Sequence, residues 1–404
     1  MKRLLVLGGS RQAAAGLKRL KALGFELVVC DMDKQAPGFE FAAHRILASV
    51  YHADQCIPAV LEFHAHTPID GVMCLACDVP HIVARIAEKL GLPGIPVTSA
   101  DLTVNKLAMK DCFTECGVPV PPYQAIMSLD ELKVAASEWG RLVVKPTDSR
   151  GSKGVSLMDA HGDLAWAYEH ARTNSPNGQV MAEKYLSGPQ VSTESVVISG
   201  EAITPAMSDR SYELLELYAP FIVENGGDMP SVLPEKTKAE IADLVTKGAA
   251  ALGIDRGVVK GDIVVHEGRA YIIELAARLS GGYFCTHQIP LSTGIDLVEA
   301  SARTALDETL NPLDWQAKYN RHVTTRWLIP ESGTIKSFAP IADVMASPGV
   351  LAFDYWCEIG DKIGGAMNAA ASVAMVQATG ETRRQAIENA ERALDAFALN
   401  VECV

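Results

Sequence analysis

Three apolar runs of strand length, RLLVLGG, ELVVCDMD and DGVMCLAC, open the chain. Between them, and again after the third, apolar residues recur at helical spacing, over 13–23, 53–64 and 81–90. A strand that returns to its sheet through a helix pairs in parallel with its predecessor. A parallel sheet carries helices on both faces, so its strands are apolar on both sides. The first hundred residues are therefore expected to form an α/β unit.

Gly8 and Gly9 after the first strand and Asp31 after the second give that unit a Rossmann-like character. GGSRQAAAG lacks the GxGxxG spacing at the strand exit, and nothing downstream offers a hydride-transfer site. A nicotinamide dehydrogenase is thus a rival reading with little behind it. MKRLLVLGGS is too short an apolar run for a signal peptide. No run approaches the roughly 18–20 apolar residues of a spanning helix. The expectation is a cytoplasmic protein with no membrane partner. Its 404 residues carry a net charge of −13 and no long basic run, which argues against a nucleic-acid partner and leaves room for a local cationic pocket. Nine scattered cysteines read as reduced thiols. Cys74 and Cys77 form a lone CxxC with no second pair to complete a zinc site.

Further along, TSADLTVNKLAMKDCFTECGVP reads as one capped helix, begun by Thr98 or Ser99 and stopped by Gly117 and Pro119. VPVPPY is an extended entry and SLDELKVAASEWG a short amphipathic helix. RLVVKPTDSRGSKGV is a strand that delivers Lys145 into a flexible, cation-rich loop. Strands follow in GQVMAEKYLSGPQVSTESVVISGEAITP, then a long irregular stretch over 210–230 and a helix over 237–252. VVKGDIVVHEGRAYIIELAAR reads as two strands joined at Glu267–Gly268. Short strands and a last helix over 381–397 end the chain.

In that hairpin Asp262 and Glu274 come opposite each other, where side chains lie about 5 Å apart. Two like charges there repel and call for a counter-charge. Magnesium takes oxygen ligands and rides on substrate phosphates. Lys106, Lys145 and a glycine loop of free N–H groups suit those phosphates. Arg278, four residues beyond Glu274, suits a transferring phosphoryl group.

Taken together these segments resemble the ATP-grasp superfamily over almost the whole chain. The fold this implies is α/β and α+β. A Rossmann-like domain (1–97) precedes an ATP-grasp domain (98–309) with a mobile lid (about 122–186), and a C-terminal α+β cap (310–404) follows. NKLAMKDCFTECGVPVPPY looks like the family's opening helix, which makes Lys106 a phosphate lysine. RLVVKPTDSRGSKGV resembles the lid strand, with Lys145 as the second phosphate lysine and Ser152 and Gly154 in the loop over ATP. AEKYLSGPQVSTES is similar to the hinge that holds adenine. That implies Glu183 at the amino group, the Lys184 and Leu186 backbones at the base, Ile273 against it, and Gln190 at the ribose, where Glu is usual. KGDIVVHEGRAYIIELAARLSGG resembles the metal hairpin. Asp262 and Glu274 are then the magnesium ligands and Arg278 meets the γ-phosphate. Lys260 holds substrate, and Gly281 and Gly282 let the backbone approach a carboxylate. Ala276 stands where many members carry Asn, as in the amino-acid-ligase-like branch.

The activity implied is ATP-dependent joining of a carboxylate to an amine through an acyl phosphate. Its cofactors would be ATP and two Mg2+ ions, with Mn2+ as a substitute, and its partners small amino-acid-like substrates. A homodimer is compatible with the family. Carboxylase-type and purine-type ligases are the alternatives inside the superfamily, and a non-catalytic ATP-binding or scaffold protein is a third reading, against which the intact lysines and carboxylates argue. Arg210, Glu224, His81, His287, Tyr283 and Phe284 are secondary candidates near the substrate.

Overall fold

The computed structural model describes residues 2–365 and 371–402. Its first sheet joins β1 (Arg3–Leu7), β2 (Glu26–Asp31), β3 (His44–Leu47) and β4 (Gly71–Cys74), all parallel, in the order β3-β2-β1-β4. Leu4 and Val6 join one apolar cluster while Leu5 and Leu7 join another, so both faces are covered, as the apolar runs require. Helices α1 (Arg11–Ala22), α2 (Ala53–His66) and α3 (Pro80–Leu90) supply the cover. Strand β3 was not expected. Its four residues HRIL are half polar and carry no sustained period.

The single helix expected after Thr98 is two, α4 (Val97–Leu102) and α5 (Lys106–Glu115). Asn105 breaks the run: its side-chain oxygen accepts the backbone N–H groups of Leu107 and Ala108, both at 3.1 Å. Lys106 therefore opens a fresh helix instead of lying mid-turn.

A second sheet, antiparallel, joins β5 (Tyr123–Ile126), β6 (Leu142–Pro146), β7 (Ser156–Met158) and β8 (Val180–Lys184) in the order β5-β8-β6-β7. Helices α6 (Leu129–Trp139) and α7 (Leu164–Thr173) close over one face with a core of their own.

The largest sheet has eight antiparallel strands. Its chain order begins with β9 (Gln190–Ile198), β10 (Glu201–Ser211), β11 (Gly226–Met229), β12 (Gly257–His266) and β13 (Arg269–Ala276). Helix α8 (Glu235–Ala251) packs on β10 and β13. The stretch 210–230 is thus less irregular than its composition suggests, since β10 runs to Ser211 and β11 lies inside it.

The C-terminal strands are β14 (His322–Leu328), β15 (Gly333–Ser337), β16 (Val350–Tyr355), β17 (Lys362–Ile363), β18 (Ala374–Gly380) and β19 (Asn400–Glu402). β14, β18 and β16 extend the large sheet in the order β13-β12-β9-β10-β11-β14-β18-β16, and only β17-β15-β19 form a sheet apart. The cap is therefore fused to the central sheet through the β11–β14 pairing. Residues Arg383–Phe397 form the last helix, capped by Thr382.

Gly188, between β8 and β9, has φ of +136°, and a Cβ there would lie 2.1 Å from the Val265 carbonyl oxygen. Gly188→Ala should cost at least about 1–3 kcal/mol, the range for a strained backbone position. A drop in the urea midpoint checks this, and an unchanged midpoint would refute it.

Candidate active site

One cavity of about 790 Å³ lies where the parallel sheet, the second sheet and the large sheet meet. Lysines, arginines and carboxylates from sequence-distant segments converge on it. Helix α5 brings Lys106, β6 brings Lys145, β12 brings Lys260 and Asp262, and β13 leads through Glu274 to Arg278. Seven cationic side chains line the cavity against six carboxylates, in a chain whose net charge is −13. The cationic pocket that an acidic protein needs for an anionic ligand is therefore present.

The β12–β13 hairpin sets the acids. Glu267 and Gly268 both take positive φ at its turn, 49° and 78°, matching the twist of a tight hairpin. Regular pairing from that turn runs to Ile263 opposite Ile272, and a register shift at the next position puts Asp262 opposite Glu274. Both carry counter-charges. Asp262 meets Arg210 at 2.7 Å and also Lys260, while Glu274 meets Lys106 at 3.4 Å. Burial opposes ionisation of Asp262, but Arg210 and Lys260 outweigh it and hold the carboxyl well below its ordinary value. Among the described residues no three metal-ligating side chains form a ready-made cage. Two facing carboxylates, completed by phosphate oxygens, are a donor set that fits magnesium.

Lys106 also donates to the Ser149 carbonyl at 2.8 Å, which ties α5 to the loop after β6. That loop reaches the parallel sheet as well. The Arg150 guanidinium lies 3.8 Å from the centre of the Tyr51 ring. Arg278 pairs with Asp78, at the exit of β4. Burial disfavours the charge on Arg278, yet Asp78 overcomes it and raises the pKa.

Twelve of the thirteen residues assigned from sequence line this cavity: Lys106, Lys145, Ser152, Glu183, Lys184, Leu186, Gln190, Lys260, Asp262, Ile273, Glu274 and Arg278. Gly154 does not. With φ of +75° it turns the loop, and a Cβ there would lie 2.7 Å from both Pro146 and Asn174. Glu183 lines the cavity, but its carboxylate is engaged with Lys110 and Lys145 instead of standing free for a base amino group. Gly281 and Gly282 face Gln12 and Trp327 instead of the cavity. His81, Arg210 and Glu224 line it, and His287, Tyr283 and Phe284 do not.

Sequence reasoning missed Lys110, Asp78 and Glu194. Lys110 stands four residues after Lys106, on the same helical face, which was a readable signal. Asp78 and Glu194 had none, because their partners lie 200 and 86 residues away.

Comparison with known proteins agrees with this geometry. An ATP-grasp domain matches residues 103–282, an ATP-grasp N-terminal domain 18–94, and an L-amino acid ligase C-terminal domain 326–402. An uncharacterised protein of Sinorhizobium fredii is 27% identical over 290 residues, 70% of this chain, and the chain spans 58% of that relative. A D-alanine–D-alanine ligase of Azoarcus is 28% identical over 233 residues, 54% of this chain and 68% of the ligase. The L-amino acid ligase of Bacillus licheniformis superposes with a TM-score of 0.84 at 21% identity, over 100% of this chain and 99% of that one.

Glu194 supplies a test of the site's electrostatics. It is fully buried and accepts from the Ser280 backbone N–H at 2.5 Å and hydroxyl at 2.7 Å. Burial, opposed by those hydrogen bonds, raises its pKa to about 7. The folded state therefore holds a proton that the unfolded chain releases at lower pH, and wild-type stability falls as pH rises toward 7. Glu194→Gln lacks this slope. Its stability relative to wild type should grow between about pH 4.5 and 7 and level off above. A pH-independent difference in urea midpoints would contradict the assignment.

Proposed function

On the premise that the chain belongs to the ATP-grasp superfamily, we propose that it is an ATP-dependent ligase joining a carboxylate to an amine, with amino-acid-like substrates. The observation that carries this reading is the single cavity shared by Lys106, Lys145, Asp262, Glu274 and Arg278. The three matched segments and the similarity to an L-amino acid ligase support it.

In this reading the substrate carboxylate attacks the γ-phosphorus of ATP, an acyl phosphate forms and ADP leaves. The amine then attacks the acyl carbon, loses a proton and displaces inorganic phosphate. The residues position the reactants and neutralise charge. Lys106 and Lys145 meet the phosphates, and Arg278, held by Asp78, faces the transferring group. Asp262 and Glu274 would hold magnesium, two ions in the full reading with manganese able to substitute, which supplies electrostatic stabilisation of the phosphate charge. Arg210 and Lys260 keep Asp262 ionised. The 147–154 loop, docked on Tyr51 through Arg150, keeps water from the acyl phosphate. The backbone at Lys184 and Leu186 and the side chain of Ile273 border the base, and Gln190 the ribose.

We divide the chain at 97 and 309, with 122–186 as the lid, and read the protein as a cytoplasmic enzyme that takes no nucleic acid and works as a monomer or homodimer. Among the described residues no helix is long and apolar enough to cross a membrane.

Release of ADP and phosphate, screened across a matrix of carboxylates and amines with ATP and magnesium, tests the reading and identifies the pair. With the active pair, Lys145→Met and Glu274→Ala should each lower kcat/KM at least about 100-fold while the variants stay folded. Full substrate-dependent ADP release by Glu274→Ala would remove the metal assignment.

A further inference from the structure

Beneath the cavity floor lies a group of charges that nucleotide contact alone does not explain. Lys110, on α5, is 1% exposed, and Glu183, on β8, is 4% exposed. The two form a close ion pair. Lys145, on β6, reaches the same Glu183 oxygen at 3.2 Å. The sheet makes this meeting unavoidable. Glu183 pairs across the ladder with Val143, so Lys145, two residues on, lies diagonally from it on the same face. The helix makes the other half. Lys106 and Lys110 are separated by four residues and share a face, so α5 offers one ammonium group to the cavity and one to the chamber below.

One carboxylate thus serves two ammonium groups. Only Lys145 lines the cavity; Lys110 does not. We propose that Lys110 is a positioning residue. It satisfies the charge of Glu183 from below, so that Lys145 keeps a net positive charge available to the phosphates. This rests on the ligase reading above and adds to it a residue that touches no substrate.

The charge arithmetic is explicit. Two ammonium groups and one carboxylate leave the triad at +1; Lys145 and Glu183 both line the cavity, and Lys145 is the triad's cation there. Without Lys110 the triad is neutral, and Glu183 competes with the phosphates for Lys145. The surroundings are consistent with an ion pair. Burial lowers the pKa of Lys110 to about 8, partly restored by Glu183. Burial would raise that of Glu183, but Lys110 and Lys145 outweigh it and lower it. The Tyr123 ring of β5 lies with its centre 5.9 Å from the Lys110 ammonium. A buried ammonium is costly unless it is paired, and Glu183 is the partner that Lys110 has; Lys110 does not line the cavity.

The test is equilibrium binding of ATP with magnesium, measured by titration calorimetry on full-length protein. Affinity should follow the charge of the triad and not the identity of residue 110. Lys110→Met should weaken binding about 10- to 100-fold, the worth of a charge-assisted contact. Lys110→Arg keeps the charge and should stay within about threefold of wild type, below the worth of one such contact. The double variant Lys110→Met/Glu183→Gln returns the triad to +1 and should recover to the same range. A structural role would leave the double variant as weak as the single one, and that result overturns the proposal. So does a Lys110→Met variant that binds as well as wild type. If Lys110→Met alone does not fold, the double variant decides by the same criterion. Failure of the wild-type protein to bind ATP would instead bring down the ligase reading, together with this inference.

Discussion

Two carboxylates placed face to face on adjacent strands are the constraint around which the rest of the site is organised. The shifted register of β12 and β13 holds the Asp262 and Glu274 backbones opposite each other. Each must find positive charge, and each finds it on a different element. Asp262 takes Arg210 from β10 and Lys260 from its own strand, and Glu274 takes Lys106 from α5. Those pairings draw α5 and β10 onto the hairpin and leave the cavity between them cationic. In the proposed reading a nucleotide triphosphate with its metal would answer both the acids and the cations.

The same logic extends outward through Arg278 and Arg150. Arg278 follows β13 and pairs with Asp78 in the connection after β4, while Arg150, in the loop after β6, lies over the ring of Tyr51 in the connection after β3. The N-terminal unit therefore forms the far wall of the cavity and helps to close it, even though it lacks a dinucleotide fingerprint. On the other side, β11 and β14 fuse the C-terminal region to the large sheet, so the wall built by Arg210 and Glu224 is backed by strands from both regions. The second sheet has its own core, and it joins the 210–230 segment through a bridge between Ser156 and Phe221 and edge contacts of Trp166 and His170 with the Phe221 ring.

What was legible in the sequence depended on how locally each feature was encoded. The hairpin at Glu267–Gly268 follows from a turn signal and two flanking strands, so it could be read directly. Regular pairing from that turn would put Asp262 opposite Ile273, and the register shift between Asp262 and Ile263 that brings Glu274 opposite instead carries no local sequence signal. Lys145 at the end of an apolar strand before a glycine loop was readable for the same reason. The split of α4 from α5 was missed because a mid-run Asn caps a helix only when the chain before it has already turned. Strand β3 was too short and too polar to show a period. The commitment of Glu183 to Lys110 and Lys145, the Asp78–Arg278 pair and the Glu194–Ser280 contact each depend on how separate elements pack, and no local pattern reports packing. Gly154 was placed at the ligand by motif, whereas its backbone conformation and its contact with Pro146 give it a different task, turning the loop.

Hydrogen exchange of the whole chain with and without ATP and magnesium addresses the central claim most directly, because it reads every segment at once. Convergence of these segments on one nucleotide predicts simultaneous protection of the start of α5, the 147–154 loop, the 183–188 segment and both strands of the β12–β13 hairpin. Protection confined to the Gly8–Gly9 turn and the end of β2, with the hairpin and loop unchanged, would contradict it and return the nucleotide to the parallel sheet.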